Sequence, residues 1–338
     1  MRQCRPPRPT LALPAMEARS GQRVVVALGG NAIAGERGSD PVSQQEAVEG
    51  AAEQIADLVA AGYDILITHG NGPQVGNLLL KNDLARDIVP PVPLDWCVAQ
   101  TQATLGFLIV TALEAALRRR GAERLVSTVI TRVLVDPADS AWSNPTKPIG
   151  RFVPEAEARE RMAAGEVWAD RGERGWRRVV ASPDPLEILD RGTIERLVAA
   201  GAIVVAAGGG GIPMVRDDGR LRGVEAVLDK DLTGALLART LGADCFMIAT
   251  DVEAAAIRFG TPEQEWLGEV SPRRLRALVD EGHFASGSMG PKVEAALRFV
   301  QDGVAGDRRS VITTLERVRE GVEGTVGTRV RSEGDAGG

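Results

Sequence analysis

Short runs of β-branched and other apolar residues alternate with longer helical stretches along most of this chain, and this alternation restricts its fold more than any other feature. The runs that predict strands are 23–28, 65–68, 125–135, 202–207 and 245–249. The stretches that predict helices include 43–61, 98–120 and 186–200. Strands separated by helices join through crossover connections, so they pair in parallel and the helices cover both faces of the sheet. The sequence therefore predicts an α/β fold with an open, mainly parallel sheet.

Three segments depart from this pattern. Residues 1–20 combine Arg with Pro and contain no acidic residue before Glu17, which predicts a disordered N-terminal extension. A transit peptide and a natural start at Met16 are the alternatives for this segment. Residues 142–178 are rich in Pro, Gly, Arg, Glu and Trp and lack a strong strand run, which predicts a small inserted lid subdomain. One domain is thus expected over residues 21–330, with a disordered tail at 331–338.

Composition argues against several classes of function. A net charge of -6 with 4% aromatic residues provides neither the basic surface nor the stacking platforms that nucleic-acid binding requires. Cys4, Cys97 and Cys245 are odd in number and widely spaced, which argues against a disulfide framework or a zinc site and favours a reducing, cytoplasmic location. His69 and His283 are the only histidines in the sequence, too few for a histidine-based metal site. No segment is expected to span a membrane.

Glycine-rich loops follow three of the predicted strands. They are Gly-Gly-Asn at 29–31, His-Gly-Asn-Gly at 69–72 and four consecutive glycines at 208–211. In an open α/β sheet, ligands bind beyond the carboxyl ends of the strands, where such loops expose backbone N–H groups to anions. One loop of this kind would indicate only a tight turn. Three of them favour a phosphate-binding edge.

The usual nucleotide-binding motifs do not explain these loops. The glycines at 208–211 are followed by Ile212-Pro213 and a turn at 217–219 instead of a helix, which argues against a GxGxxG dinucleotide site. The sequence contains no GxxxxGK[ST] motif either, so a P-loop nucleotidase is excluded. If the protein handles ATP, it does so by another design.

Lysine is rare in this chain, and its positions suggest that design. Of the 40 Lys plus Arg residues only four are Lys, at 81, 147, 230 and 292. A compact ammonium group fits against a phosphate oxygen where a planar guanidinium does not, so a retained Lys indicates a steric need for a point charge. Lys230, Lys292 and, with less support, Lys147 are interpreted in this way. Lys81 lies on an exposed-looking helix and is interpreted as a surface residue.

Six segments of the chain carry a family resemblance. They are VVVALGGN at 24–31, THGNGPQVG at 68–76, NPTKPIG at 144–150, AAGGGGIP at 206–213, GVEAVLDKD at 223–231 and GSMGPKVEAA at 287–296. In this order, and over residues 21–330, the chain resembles the carbamate kinases of the amino-acid kinase family. Acetylglutamate kinases and similar enzymes typically carry Lys just ahead of the first Gly-Gly. This chain has Ala27 in that strand, as carbamate kinases do.

The resemblance implies a reaction and an assembly. Carbamate kinases transfer a phosphoryl group reversibly between carbamoyl phosphate and ADP, giving ATP and carbamate. They do so on a three-layer α/β/α sandwich that usually forms a homodimer. Mg²⁺ is then expected as the cofactor, held mainly by nucleotide oxygens and water and not by a protein cage. The apolar segment 98–117 favours a dimer interface nearby, although a deeply buried helix would explain the same pattern.

The resemblance also implies roles for particular residues. Those implied to hold carbamate and the transferring phosphoryl group are Gly29, Gly30, Asn31, Gly70 and Asn71. Those implied to be catalytic are Lys147, Lys230, Lys292 and Asp231. Those implied to bind the nucleotide are Gly208, Gly209, Gly210, Asp229, Thr250, Asp251 and Met289. Phosphoryl transfer needs charge neutralisation and in-line positioning more than covalent help, and these residue types supply both.

Departures from the family pattern leave two alternatives open. Ala256 stands where Tyr is common, Ser286 stands where Pro is frequent, and Gly290 stands where a larger apolar residue is usual. The first alternative is a kinase of the same fold acting on another small carboxylate. The second is a nucleotide-binding regulator without turnover. The retained lysines argue against the regulator, and the small glycine-lined loops with Ala27 argue against the other acceptor.

Overall fold

The computed structural model describes residues 21–30, 33–34, 40–285, 287–301 and 308–331. Within these ranges the helices are α1 (Pro41–Ala60), α2 (Gly72–Ala85), α3 (Leu94–Arg119), α4 (Glu155–Ala163), α5 (Arg191–Ala199), α6 (Lys230–Thr240), α7 (Pro272–Asp280), α8 (Met289–Gln301) and α9 (Val318–Val322). The strands are β1 (Arg23–Leu28), β2 (Asp64–His69), β3 (Val126–Thr128), β4 (Arg132–Val135), β5 (Lys147–Val153), β6 (Trp168–Asp170), β7 (Trp176–Val180), β8 (Pro185–Ile188), β9 (Ile203–Val205), β10 (Ile212–Asp217), β11 (Arg220–Gly223), β12 (Cys245–Thr250), β13 (Ala256–Ile257), β14 (Glu265–Trp266), β15 (Glu269–Val270), β16 (Arg309–Thr314) and β17 (Thr328–Arg331).

The central sheet has eight strands in the order β15-β17-β16-β12-β1-β2-β9-β3. From β16 to β3 every neighbouring pair is parallel, whereas β17 pairs antiparallel with β16 and parallel with the edge strand β15. Strand β1 lies in the middle, and its residues from Val24 to Leu28 have no exposed surface. A parallel strand covered on both faces needs a continuous apolar run, which is what this segment supplies. The prediction of a mainly parallel sheet is confirmed.

Helices cover both faces of this sheet. Val24, Val26 and Leu28 point into one buried cluster with α1, α3 and α9. Val25 and Ala27 point into the other cluster, with α5, α6 and α8. Successive side chains of a strand face opposite sides of the sheet, so one apolar strand contributes to both cores. The result is the predicted three-layer α/β/α sandwich.

Two segments differ from their predicted secondary structure. The predicted strand 125–135 is two strands, because β3 joins the central sheet while β4 joins a second sheet of order β11-β10-β4-β8. The break falls at Thr131, whose backbone N–H donates to the buried Gln102 side chain at 2.7 Å. The first part of the predicted helix 186–200 is β8, which pairs antiparallel with β4. Helix α5 begins only at Arg191.

Helix α3 corrects the expectation that no segment is long and apolar enough to span a membrane. Among the described residues, this one helix meets that criterion by length and composition. Its apolar side chains Leu105, Ile109 and Leu113 are buried between α1 and the central sheet. The buried Gln102 amide donates to the Thr131 carbonyl oxygen at 3.1 Å. Packing in the protein core therefore accounts for part of the hydropathy of this helix.

Residues 147–180 form a small subdomain beside α2. Strands β5, β7 and β6 pair antiparallel in that order, and α4 connects β5 to β6. The sequence shows no strong strand run here because these strands are short, are only partly buried and contain several Arg residues. A separate cluster of Val153, Ala158, Trp168 and Trp176 forms the only core of the subdomain among the described residues. Ile149 and Val180 at its base pack instead into a cluster with α2 and α3.

Candidate active site

The glycine loops meet because their strands are parallel neighbours. Beyond β1, the N–H of Gly29 donates to the Ala249 carbonyl oxygen of β12 at 3.0 Å. Beyond β2, the N–H of Gly70 donates to the Leu28 carbonyl oxygen at 3.0 Å, and the N–H of Ala206 continues the β9 ladder to β2 at 2.9 Å. The loops that follow these strands therefore start at one edge of the sheet, as the sequence predicts.

The three loops pack against each other at glycine positions. A Cβ atom on Gly70 would lie 2.9 Å from the backbone N of Gly30. A Cβ on Gly208 would overlap the His69 ring, and one on Gly209 would overlap the Asn71 amide. Gly209 also has φ 65°, a conformation that favours glycine. These glycines are thus needed for contact between protein loops.

The polar side chains of the second loop are fixed by buried contacts. The Asn71 amide donates to the Thr101 hydroxyl of α3 at 2.9 Å. The Nδ1–H of the His69 imidazole donates to the Gly70 carbonyl oxygen at 2.9 Å. Burial lowers the pKa of His69 from 6.5 to about 4, so the ring is neutral near pH 7. Asn31 lies outside the described residues.

Three lysines and two aspartates form a cluster beside these loops. The Lys147 Nζ lies 2.7 Å from the Asp229 carboxylate. Lys230 pairs with Asp231, and the Lys292 Nζ lies 3.4 Å from the other oxygen of Asp231. These residues come from β5, from the N-terminus of α6 and from the first turn of α8. The structure therefore brings together all four residues predicted to be catalytic.

The N-terminus of α6 carries the two aspartates of this cluster and fixes the carboxylate of the first. Asp229 is the N-cap residue, and its carboxylate accepts the N–H of Asp231 at 2.9 Å and that of Leu232 at 3.3 Å. A carboxylate at this position satisfies helix N–H groups that have no partner within the helix. Both aspartates are buried, with 8% of Asp229 and 3% of Asp231 exposed. The capping geometry thus holds the Asp229 carboxylate, whose other oxygen receives Lys147, while both oxygens of Asp231 receive ammonium groups.

Electrostatics act in different directions on the acids and the lysines of the cluster. Burial tends to raise the pKa of Asp229, but its ion pair with Lys147 and the nearby charge of Lys230 outweigh burial and lower the pKa overall. Burial lowers the pKa of Lys230, and the adjacent Asp231 carboxylate opposes that change only in part. The free protein therefore holds its lysines against carboxylates at the edge where the glycine loops meet.

A separate cavity collects three of the residues predicted to bind nucleotide. Thr250, Asp251 and Met289 line a space of about 150 Å³ that follows strand β12. Phe259 and His283 line the same cavity, and sequence reasoning did not assign them to any site. Their signal in the sequence is weak, because the segment 256–284 carries no recognisable motif. His283 was noticeable only as one of two histidines.

The other residues predicted to bind nucleotide lie elsewhere in the site. Gly208 and Gly209 contact the second glycine loop, and a Cβ on Gly210 would lie 2.7 Å from the Leu228 carbonyl oxygen. Asp229 belongs to the lysine cluster. Over the part of the chain that the structure describes, no group of three or more His, Cys, Asp and Glu side chains has a geometry that would hold a metal ion.

Comparison with known proteins identifies the family. The model of the amino acid kinase family matches residues 22–313, and the chain belongs to this family. The chain is 48% identical to a carbamate kinase of Pyrococcus furiosus, over 92% of this chain and 99% of that protein. It is 43% identical to the carbamate kinase-like protein YqeA of Escherichia coli, over 91% and 98% of the two chains. The structure of carbamate kinase from Giardia lamblia bound to AMP-PNP matches with a TM-score of 0.86 at 42% identity, covering 93% of this chain and 99% of that one. Within the family, the chain groups with the carbamate kinases.

Proposed function

We propose that this protein is a carbamate kinase, which transfers a phosphoryl group reversibly between carbamoyl phosphate and ADP to give ATP and carbamate. In the ATP-forming direction, a β-phosphate oxygen of ADP attacks phosphorus and the bond from phosphorus to the carbamate oxygen breaks. The observation that carries the proposal is the cluster of Lys147, Lys230 and Lys292 around two buried aspartates, beside the glycine loops. Preorganised cations of this kind stabilise the charge on a transferring phosphoryl group.

The proposed roles follow from the position of each group. The loops formed by Gly29, Gly30, Asn31, Gly70 and Asn71 would cradle carbamate and the phosphoryl group, although the N–H groups of Gly29 and Gly70 donate within the sheet. Lys230 and Lys292 would flank the phosphoryl group, while Asp231 orients both ammonium groups. Lys147 would reach the site from the small subdomain, which acts as a lid. Gly208 to Gly210 and Asp229 would support the phosphate end of the nucleotide, and the cavity at Thr250, Asp251 and Met289 would receive its base.

Mg²⁺ is proposed to arrive with the nucleotide. Asp229 and Asp231 are already engaged by ammonium groups, and Asp251 accepts the Thr250 hydroxyl at 3.1 Å. These acids do not form an all-protein cage, which suits an ion that keeps several waters and binds mainly through phosphate oxygens. When bound, the ion would neutralise charge on the nucleotide phosphates.

The decisive assay measures ATP formed from carbamoyl phosphate and MgADP. Acetyl phosphate and acetylglutamyl phosphate serve as competing donors under the same conditions. Turnover with carbamoyl phosphate that exceeds turnover with both competitors is the expected result. A preference for either competitor would favour the kinase that acts on another small carboxylate. Nucleotide binding without turnover on any donor would favour the regulator.

A homodimer is proposed as the assembly, with α3 at the interface. Much of the apolar segment 98–117 is buried within the chain, but Phe107 is 64% exposed. Phe107 borders a groove of about 320 Å³ between α1 and α3, and a second groove shares Leu108 with it. An exposed aromatic residue beside an apolar groove favours self-association, which light scattering at micromolar concentration would test. The cytoplasm is the proposed location.

A further inference from the structure

A cleft separates the small subdomain from helix α2, and one hydrogen-bonded ion pair spans it. We propose that Arg161 and Asp83 form a latch that holds the small subdomain where Lys147 reaches the site. Both are positioning residues, because they act through Lys147 and lie away from the reacting atoms. The inference rests on the proposed function, since Lys147 matters to turnover only if the site transfers a phosphoryl group.

The cleft is a cavity of about 510 Å³. One wall is α2 and the segment that leads into α3, including Leu79, Asp83 and Pro91. The opposite wall is the small subdomain, including Arg151 and Trp168. A space of this size holds many waters, so packing does not fix the outer part of the subdomain against α2.

The base of the small subdomain is held by close packing. A Cβ on Gly76 of α2 would lie 3.5 Å from the Cα of Gly150 in β5, so these two backbones run side by side. Gly150 also has φ 66°, which favours glycine. Ile149 and Val180 are buried beside this contact. The subdomain is thus anchored next to Lys147 and separated from α2 farther out, which is the geometry of a hinged flap.

The ion pair closes the open side of this cleft. The Arg161 Nη1 on α4 donates to the Asp83 carboxylate on α2 at 2.9 Å, and the Arg161 side chain is only 17% exposed. Glu157 and Glu166 lie 3.4 and 4.0 Å from the same guanidinium and orient it from within the subdomain. A second pair across the cleft, Arg178 with Glu225, is longer at 3.8 Å.

Beyond the packed base, two hydrogen-bonded ion pairs join the subdomain to the rest of the described chain. Lys147 pairs with Asp229 at the site, and Arg161 pairs with Asp83 on the far side of the cleft. If the small subdomain moves as a unit about its base, loss of the Arg161–Asp83 pair must increase the population in which Lys147 is withdrawn from the site. Loss of a partly exposed, hydrogen-bonded ion pair changes the equilibrium constant between the two positions of the subdomain by about fivefold.

The experiment compares Asp83→Ala with Glu155→Ala. Asp83→Ala removes the cross-cleft bond and leaves the pairs within the subdomain intact. Glu155 pairs only with Arg159 among the described residues, on the exposed side of the same helix, so Glu155→Ala is the matched control. For Asp83→Ala we expect KM for carbamoyl phosphate to rise by up to about fivefold, while KM for ADP stays unchanged. Asp83→Glu, which restores the carboxylate, should recover most of the wild-type KM.

Two further measurements separate positioning from a general loss of stability. In a Lys147→Ala background, Asp83→Ala should have no additional effect, because the latch acts through Lys147. Hydrogen exchange of residues 155–170 should be faster in Asp83→Ala than in wild type and unchanged in Glu155→Ala. Equal KM values for wild type and Asp83→Ala, or an undiminished effect without Lys147, would overturn the proposal. If wild type itself makes no ATP, the proposed function fails and the exchange measurement alone decides whether the latch exists.

Discussion

Replacing Lys230 tests whether the site requires a point charge of a particular shape. The ammonium group of Lys230 pairs with Asp231, and the Lys230 side chain is 13% exposed. If this group stabilises the transferring phosphoryl group, Lys230→Ala should lower kcat by about 10²–10³-fold, or roughly 3–4 kcal/mol, as loss of one preorganised donor does. The same change removes one partner of a buried carboxylate, which costs stability by roughly 3 kcal/mol when a pair is broken. Lys292 stays 3.4 Å from Asp231 and should moderate that cost.

Lys230→Arg carries the sharper expectation. The stem of Lys230 packs against the second glycine loop, since a Cβ on Gly70 would lie 3.3 Å from the Lys230 Cδ. A guanidinium is flat and wider than an ammonium group, so it cannot occupy this slot without shifting by an ångström or so. We therefore expect kcat of Lys230→Arg to exceed kcat of Lys230→Ala by less than about tenfold.

The assay is initial-rate ATP formation from carbamoyl phosphate and MgADP, with a thermal melt of each variant. Lys81→Arg on the exposed face of α2 is the control for a Lys-to-Arg change and should have normal turnover. If Lys230→Arg keeps turnover within about twofold of wild type, the site needs only charge. The argument from the rarity of lysine in this chain would then be refuted.

Three more predictions test the loops and the core. Gly30→Ala should lose about 10²-fold in turnover with an unchanged thermal melt, because among the described residues its Cβ would meet no atom closer than the Pro73 Cδ at 3.8 Å and would project towards the proposed anion. The pKa of His69 in the folded protein is about 4, below the ordinary 6.5. Its contribution to folding stability is therefore fully present above pH 6.5 and is lost as pH falls towards 4. The free energy of unfolding, measured in urea, should fall by about 3 kcal/mol between these two pH values. His69→Phe should weaken the dependence of this free energy on pH. Gly106→Ala should cost about 2 kcal/mol by urea unfolding, because its Cβ would lie 2.8 Å from the Thr128 Cβ.

Much of the sheet could be predicted because its strands are buried on both faces. The run at 23–28 coincides with β1, and the run at 245–249 lies within β12. Such segments must be apolar throughout, so their signal does not depend on knowing their neighbours. The meeting of the glycine loops followed from topology alone, since parallel neighbours end at the same edge.

Features that depend on contacts between distant residues were less visible. Sequence reasoning attributed the glycine at 209 to close approach of an anion, whereas its Cβ would overlap Asn71. Gly209→Val would therefore disturb the loop packing, and only Gly30 gives a clean test. The pairing of Lys147 with Asp229 joins positions 82 residues apart, and the latch at Asp83 joins α2 to a helix 78 residues later. No local pattern encodes such pairs, because each partner is an ordinary charged residue within its own segment.

The balance of charges at the site explains how one arrangement of its lysines and aspartates can suit the protein both before and after a substrate binds. Lys147, Lys230 and Lys292 contribute three positive charges, and Asp229 and Asp231 contribute two negative ones. Without the carboxylates, three ammonium groups brought together in a partly buried site would repel each other and lose protons. With them, one positive charge is left over, and each ammonium group is held near its working position before substrate binds. A phosphate that binds as proposed would then need little rearrangement of the protein, because the N-terminus of α6 fixes the Asp229 carboxylate before any ligand binds. With preorganisation of this kind, the free energy needed to bring the cations together is supplied when the protein folds. It is not needed again in each catalytic cycle.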